Sequence, residues 1–241
     1  MTISNDSRSR IKKVFEPIAL GMGRMGLTPD GLTLVGFGIT VVGAILVASQ
    51  QWLAGGLVIF LGGVFDMFDG TLARATGKVS DLGAFMDSVF DRWGEAIVYL
   101  GVVIGSLAGG FTTGAILAAA AMGAAFMVSY TRAKSEGLGF TAGTGMAAIG
   151  LMPREVRLVV LAVGLVLVGL NEGIAESLLY LEGIDLPGGV FLDMIRGREY
   201  LTGALVIITI GATITTIQRI LHVRAQAKRQ TTSDTSTSPQ S

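Results

Sequence analysis

Apolar runs of about 20 residues recur along this chain, and that length matches a helix crossing the roughly 30 Å hydrocarbon core of a bilayer. The first, "GLTLVGFGITVVGAILVAS" (31–49), carries no charge at all. Only 15% of the residues are charged and 51% are hydrophobic, whereas a water-soluble domain is nearer a quarter charged. The sequence therefore predicts a polytopic membrane protein. Cysteine is absent, which removes disulfides, thiolate chemistry and Cys-based zinc sites from consideration. The polar, basic start "MTISNDSRSRIKKVFEP" lacks the compact apolar core and cleavage site of a signal peptide.

Six spans are expected, near 32–50, 53–75, 82–107, 112–134, 156–170 and 200–222, the fifth looking short. Ahead of them, Ile11, Val14, Phe15 and Ile18 recur at helical spacing among Arg8, Arg10, Lys12 and Lys13, the pattern of a helix lying in the membrane surface. Pro17 would kink it or end it early. The expected fold is an all-α integral membrane protein: six transmembrane helices preceded by an N-terminal interfacial amphipathic helix. Residues 1–24 form the entry segment, 25–222 the six-helix domain and 223–241 a disordered cytoplasmic tail. The stretch 171–199 is expected to hold a short interfacial helix and a turn at Pro187-Gly188-Gly189. Of the 18 Lys and Arg residues, 15 fall on one side of this alternation. The positive-inside rule then places both termini on the cytoplasmic face, in the plasma membrane.

Against this background "FDMFDGTLARATGKVSDLGAFMDSVFDR" (65–92) stands out. Asp66 and Asp69 share one helical face, with Gly70 and Ala73 continuing it; Asp87 and Asp91 share another, with Gly83 a turn earlier. The two spans meet at a turn around Gly77, so four carboxylates converge. Each costs roughly 2.5–3.5 kcal/mol at the centre of a membrane helix, which makes idle carboxylates expensive. Clustered oxygens suit Mg²⁺ or Mn²⁺, and two ions can share them. Asp81 reads as a helix cap or a solvated turn residue. A cation pathway is the reading of another class, but transporters place such charges near the midplane and build on paired repeats; the sequence has no internal repeat.

The full spacing, Asp66-x-x-Asp69-Gly70-x-x-Ala73-Arg74, eight residues, then Gly83-x-x-x-Asp87-x-x-x-Asp91, resembles the signature of the CDP-alcohol phosphatidyltransferases, over about residues 10 to 222. That family joins a lipid-linked CDP donor, usually CDP-diacylglycerol, to an alcohol and releases CMP. The resemblance implies two metal ions held by Asp66, Asp69, Asp87 and Asp91 against the donor pyrophosphate, with Asp91 as general base. It places Gly70, Ala73, Arg74 and Gly83 beside the nucleotide. "LTPDGLT" (27–33) is similar to the family's element at the first span, and assigns Asp30 and Thr33 to the nucleotide or to bracing the metal site.

The acceptor side carries cations: "SYTRAKSEG" with Ser129 and Arg132, "PREVRLVV" with Arg154 and Arg157, and Arg219 in the last span. Such cations suit a phosphorylated alcohol through charge-assisted hydrogen bonds. These segments resemble the phosphatidylinositol-phosphate and archaetidylinositol-phosphate synthases, which implies inositol phosphate as acceptor; glycerol 3-phosphate is the alternative. This chain has Pro153 where those synthases carry an acidic residue, and a longer 171–199 stretch. The Gly-rich linker 137–152 is expected to order only over substrate. The expected partners are CDP-diacylglycerol, a phosphorylated polyol, membrane lipid and a second copy of the chain, with no nucleic acid. His222 is expected to be interfacial, and Gly101, Gly105 and Gly109 to line a helix–helix contact.

Overall fold

The structure, a computed structural model, describes residues 16–140, 149–182 and 197–236, with side chains as far as 173 and 228 in the last two stretches. Among the described residues all regular structure is α-helical. Helix α1 covers 16–24, α2 Pro29–Ala48, α3 Trp52–Thr76, α4 Asp81–Ala108, α5 Thr112–Gly137, α6 Arg154–Glu182 and α7 Arg198–Ser236. The first four expected spans lie within three residues of α2 to α5. Helices α2, α3 and α5, with 154–173 of α6 and 198–228 of α7, are long and apolar enough to cross a membrane. Helix α4 has the length but not the composition: Asp81, Asp87, Asp91, Arg92 and Glu95 crowd its first half, ahead of the apolar stretch 96–108.

Two expectations are corrected. The fifth span is not short, because "NEGIAESLLYLE" (171–182) contains no proline and continues α6. The tail expected to be disordered from 223 begins as helix, since the helix formers Ala225, Gln226, Ala227 and Lys228 carry α7 on to Ser236. The amphipathic pattern of 8–15, the linker core 141–148 and the turn at 187–189 lie outside the described residues.

Local sequence sets the ends that matter to the site. Thr28 Oγ1 accepts the Gly31 N–H at 3.1 Å, and Pro29, which lacks an N–H, opens α2. Ser80 Oγ accepts the Gly83 N–H at 3.0 Å, so Ser80 rather than Asp81 caps α4; Asp81 follows as the first helical residue, where its charge suits the helix dipole. Gly77, at φ +67°, supplies the left-handed turn that ends α3.

Six helices close a ring. Helix α2 packs on α3 and α4, α4 on α5, α5 on α7, α7 on α6, and α6 returns to α3. Consecutive α3 and α4 are not among these extensively packed pairs; α2 lies against both and leaves a gap between their adjoining ends. One half of the ring is filled by apolar side chains from all six helices, among them Val47, Ile59, Val102, Ala121, Leu165 and Leu205. The sequence positions expected to carry chemistry all fall in the other half.

The close approach of α4 to α2 depends on Gly101 and Gly105. A Cβ on Gly101 would lie 2.5 Å from the Ala44 carbonyl oxygen, and one on Gly105 2.2 Å from that of Val47. No rotamer relieves a clash with backbone. Gly105→Val is therefore expected to lose stability by about 3 kcal/mol, the upper end for overpacking. This is checked by the unfolding midpoint of the purified protein in detergent; an unchanged midpoint would show that the helices can part without loss.

Candidate active site

The cluster at 66–91 assembles across the α3–α4 gap. Carboxylate oxygens of Asp66, Asp69 and Asp87 lie within 4.8 Å of one another. Asp69 is the most constrained and only 6% exposed. Thr33, reaching over from α2, donates its hydroxyl to Asp69 Oδ2 at 2.6 Å, and the Gly70 N–H donates to Oδ1. Thr33 thus fixes one oxygen of Asp69 while also lining a cavity between α2, α3 and α4. Oxygen donors from three carboxylates at this separation fit a hard divalent cation.

Asp91 stands beside this triad rather than within it. Its neighbour is Arg154, the first residue of α6. Arg154 Nη1 donates to Asp66 Oδ2 at 2.7 Å and lies 2.7 Å from Asp91 Oδ1. The second contact lacks hydrogen-bonding direction: Asp91 Oδ1 is buried and accepts no hydrogen bond. That buried carboxylate oxygen has the chemistry of a hard-cation ligand, and Arg154 stands against it.

Two cavities meet here. The first, about 190 Å³, lies between the start of α2, the end of α3 and the start of α4. Asp30, Thr33, Gly70, Ala73, Arg74 and Gly83, the six residues expected around the donor, all line it. A Cβ on Gly83 would come within 3.5 Å of Asp30 Oδ1, so this glycine faces the cleft. Lys78, a cation not singled out in the sequence, lines it as well; its place after the αL turn at Gly77 was the available signal.

The second cavity, about 610 Å³, adjoins the first at Asp87, which lines both. Ser129, Arg132, Arg154, Arg157 and Arg219 all border it, but they are held differently. Arg132 pairs with Glu136 at 3.0 Å. Arg219, 4% exposed, donates to the carbonyls of Ile149 and Val128 and forms no ion pair with a carboxylate among the described residues. Ser129 accepts from Arg92. Arg154 is turned to Asp66 and Asp91 instead of the open cavity, because those carboxylates lie within reach of its fork. Arg157 departs furthest from expectation. It is 1% exposed, its Nε and Nη2 donate to the two oxygens of Glu95 at 2.8 and 2.9 Å, and its Nη1 donates to Met152 O at 2.8 Å. It braces α6 against α4.

Sequence reasoning missed Arg92 and Glu95. Arg92 lies 3.6 Å from Asp91 and 3.7 Å from Glu95, and it borders the second cavity. The signal was present: 87, 91 and 95 are spaced by four on α4, and a glutamate that deep in an apolar helix needs a partner.

An all-helical membrane protein with a carboxylate cluster at the junction of two polar cavities, at one end of its bundle, is the class that fold and site define. The model of the CDP-alcohol phosphatidyltransferase family matches residues 26–184, and the chain belongs to that family of multi-pass membrane transferases. It is 35% identical over 154 residues to the archaetidylinositol phosphate synthase of Pyrococcus horikoshii, covering 64% of this chain and 77% of that one. It is 30% identical to the phosphatidylinositol phosphate synthase of Streptomyces avermitilis, covering 92% and 82%. The crystal structure of Mycobacterium tuberculosis phosphatidylinositol phosphate synthase with CDP-DAG bound superposes with a TM-score of 0.68 at 25% identity, over 88% of this chain and 94% of that one. The same enzyme has also been solved with manganese and citrate.

Proposed function

We propose that this enzyme transfers a phosphatidyl group from CDP-diacylglycerol to inositol 1-phosphate, giving phosphatidylinositol phosphate and CMP. The observation that carries the reading is the sharing of Asp87 by the two cavities, which supports a donor site in the smaller and an acceptor site in the larger, cation-bordered one. The smaller cavity, with Arg74 and Lys78, takes the CDP pyrophosphate. The larger, where buried Arg219 has no carboxylate partner, takes the acceptor's phosphate. The relatives named above, synthases of inositol-phosphate lipids, favour inositol phosphate over glycerol 3-phosphate.

Asp66, Asp69 and Asp87 would hold one Mg²⁺ or Mn²⁺, and Asp91 with Asp66 a second. Such ions supply charge neutralisation for the pyrophosphate and for the leaving CMP. The chain's own residues do the rest. Thr33 and the Gly70 N–H fix Asp69. Arg74 and Lys78 orient the donor. Asp91 takes the acceptor's hydroxyl proton as that oxygen bonds to the lipid-side phosphorus; the bridging P–O bond breaks, and CMP leaves with the bridging oxygen. The arrangement is cytoplasmic in this proposal, with α2 to α7 as six spans in the plasma membrane and a homodimer as the assembly. The basic residues near the site end of the bundle support that orientation, and the apolar stretch 96–108 of α4 supports the sixth span.

Purified protein given CDP-diacylglycerol and Mn²⁺ should release CMP with inositol 1-phosphate at least about ten-fold faster than with inositol, which lacks the phosphate and so loses a charge-assisted contact. Release should also be faster than with glycerol 3-phosphate, which keeps the phosphate but lacks the ring hydroxyls. Faster release with glycerol 3-phosphate would move the acceptor assignment. No metal-dependent release with any alcohol would falsify the transferase reading.

A further inference from the structure

Arg154 occupies ground that a second cation would need. Its Nη1 is 2.7 Å from Asp66 Oδ2 on α3 and 2.7 Å from Asp91 Oδ1 on α4, so the guanidinium closes the space between these carboxylates. The fit satisfies charge at both carboxylates but direction only at Asp66. Asp91 Oδ1 accepts no hydrogen bond, and Arg154 Nε, also buried, has no acceptor. Compare Arg157 one turn along, where Nε, Nη1 and Nη2 all have acceptors. A dication has twice the charge and no directional donors to leave unpaired, so it outcompetes a poorly bonded guanidinium between two carboxylates. Arg154 also has somewhere to go: it borders the 610 Å³ cavity, as does buried Arg219. Two cations brought together there repel unless an anion lies between them.

We propose that Arg154 is a displaceable counter-cation: a second dication entering between Asp66 and Asp91 drives its guanidinium into the adjoining cavity, where it binds the acceptor's phosphate. The proposal rests on the metal-dependent transferase reading and deepens it by making Arg154 the residue that couples the two sites. The coupling is reciprocal. Acceptor phosphate tightens the second ion by holding Arg154 away from Asp66 and Asp91, and the second ion tightens the acceptor by releasing Arg154 toward it. The order this imposes is useful chemically, because the acceptor is gripped fully only when the metal site opposite Asp91 is complete.

The test is Mn²⁺ binding without turnover. Purified protein, stripped with EDTA, is titrated with Mn²⁺ while free Mn²⁺ is followed by electron paramagnetic resonance, with and without saturating inositol 1-phosphate. In wild type, two binding steps are expected, the weaker one tightened by about ten-fold when inositol 1-phosphate is present. Arg154→Ala should show that step already tightened by about ten-fold or more, with no further response; Arg154→Lys, which keeps the cation, should stay close to wild type. A folded Arg154→Ala protein with an unchanged or weaker second step overturns the proposal, as does a wild-type second step indifferent to inositol 1-phosphate. The wild-type comparison decides if the alanine variant does not fold. Should the Mn²⁺ shifts appear in Arg154→Ala while the wild-type protein releases no CMP with any alcohol, the transferase reading falls and the competition stands. CMP release without any Mn²⁺ shift leaves the transferase reading standing and removes the competition.

Discussion

Asp91→Asn is expected to lower kcat by on the order of 10²–10⁴-fold, the range for loss of a positioned general base, while leaving CDP-diacylglycerol binding largely intact. The substitution keeps the side chain's shape and removes the atom that would accept the acceptor's proton. Donor binding should survive because the Asp66–Asp69–Asp87 triad does not include Asp91, and Asp91 does not line the smaller cavity. Single-turnover CMP release reads the first quantity, and equilibrium binding of labelled CDP-diacylglycerol reads the second. Asp69→Asn makes the contrast. It weakens the ligand set that Thr33 and Gly70 hold in place, so donor binding and turnover should fall together. An Asp91→Asn enzyme within ten-fold of wild-type kcat would assign the proton to another group.

The difference between those two variants follows from packing that the sequence disclosed unevenly. The motif's spacing was enough to place Asp66, Asp69 and Asp87 together, because helical periodicity and one short turn at Gly77 leave little choice. The smaller cavity followed from the same two helix ends and the start of α2. Small residues told of close approach as well: Gly101 and Gly105 do lie against the α2 backbone. What the sequence could not reveal was partner choice among the arginines. Arg92, Arg132, Arg154, Arg157 and Arg219 all border the second cavity, and each has the same five donors. Which of them meets a carboxylate depends on how α4, α5, α6 and α7 are rotated in the ring. Glu95 was the hidden variable. Once α4 turns Glu95 inward, Arg157 is taken, and Arg154 is left to Asp66 and Asp91.

That partition gives Arg157 a purely structural signature, and the size of the effect separates it from an acceptor ligand. Glu95 and Arg157 have side chains only 9% and 1% exposed, and they share two hydrogen bonds while Met152 O takes a third donor. Arg157→Ala leaves the buried Glu95 carboxylate with only Arg92, 3.7 Å away, in place of its hydrogen-bonded partner, and removing one partner of a buried pair costs about 3–5 kcal/mol. The purified variant should unfold at markedly lower denaturant or temperature. Replacing both partners, in Glu95→Leu/Arg157→Leu, should recover most of that stability, because no buried charge is left unmatched. A ligand for the acceptor's phosphate would behave in the opposite way: Arg157→Ala would unfold like wild type, KM for inositol 1-phosphate would rise, and the double replacement would restore nothing. Arg154 and Arg157 lie three residues apart on one helix, yet the first leaves Nε without an acceptor while the second bonds through all three of its nitrogens. Bond saturation, rather than position in the sequence, marks which arginine is built to stay and which to move.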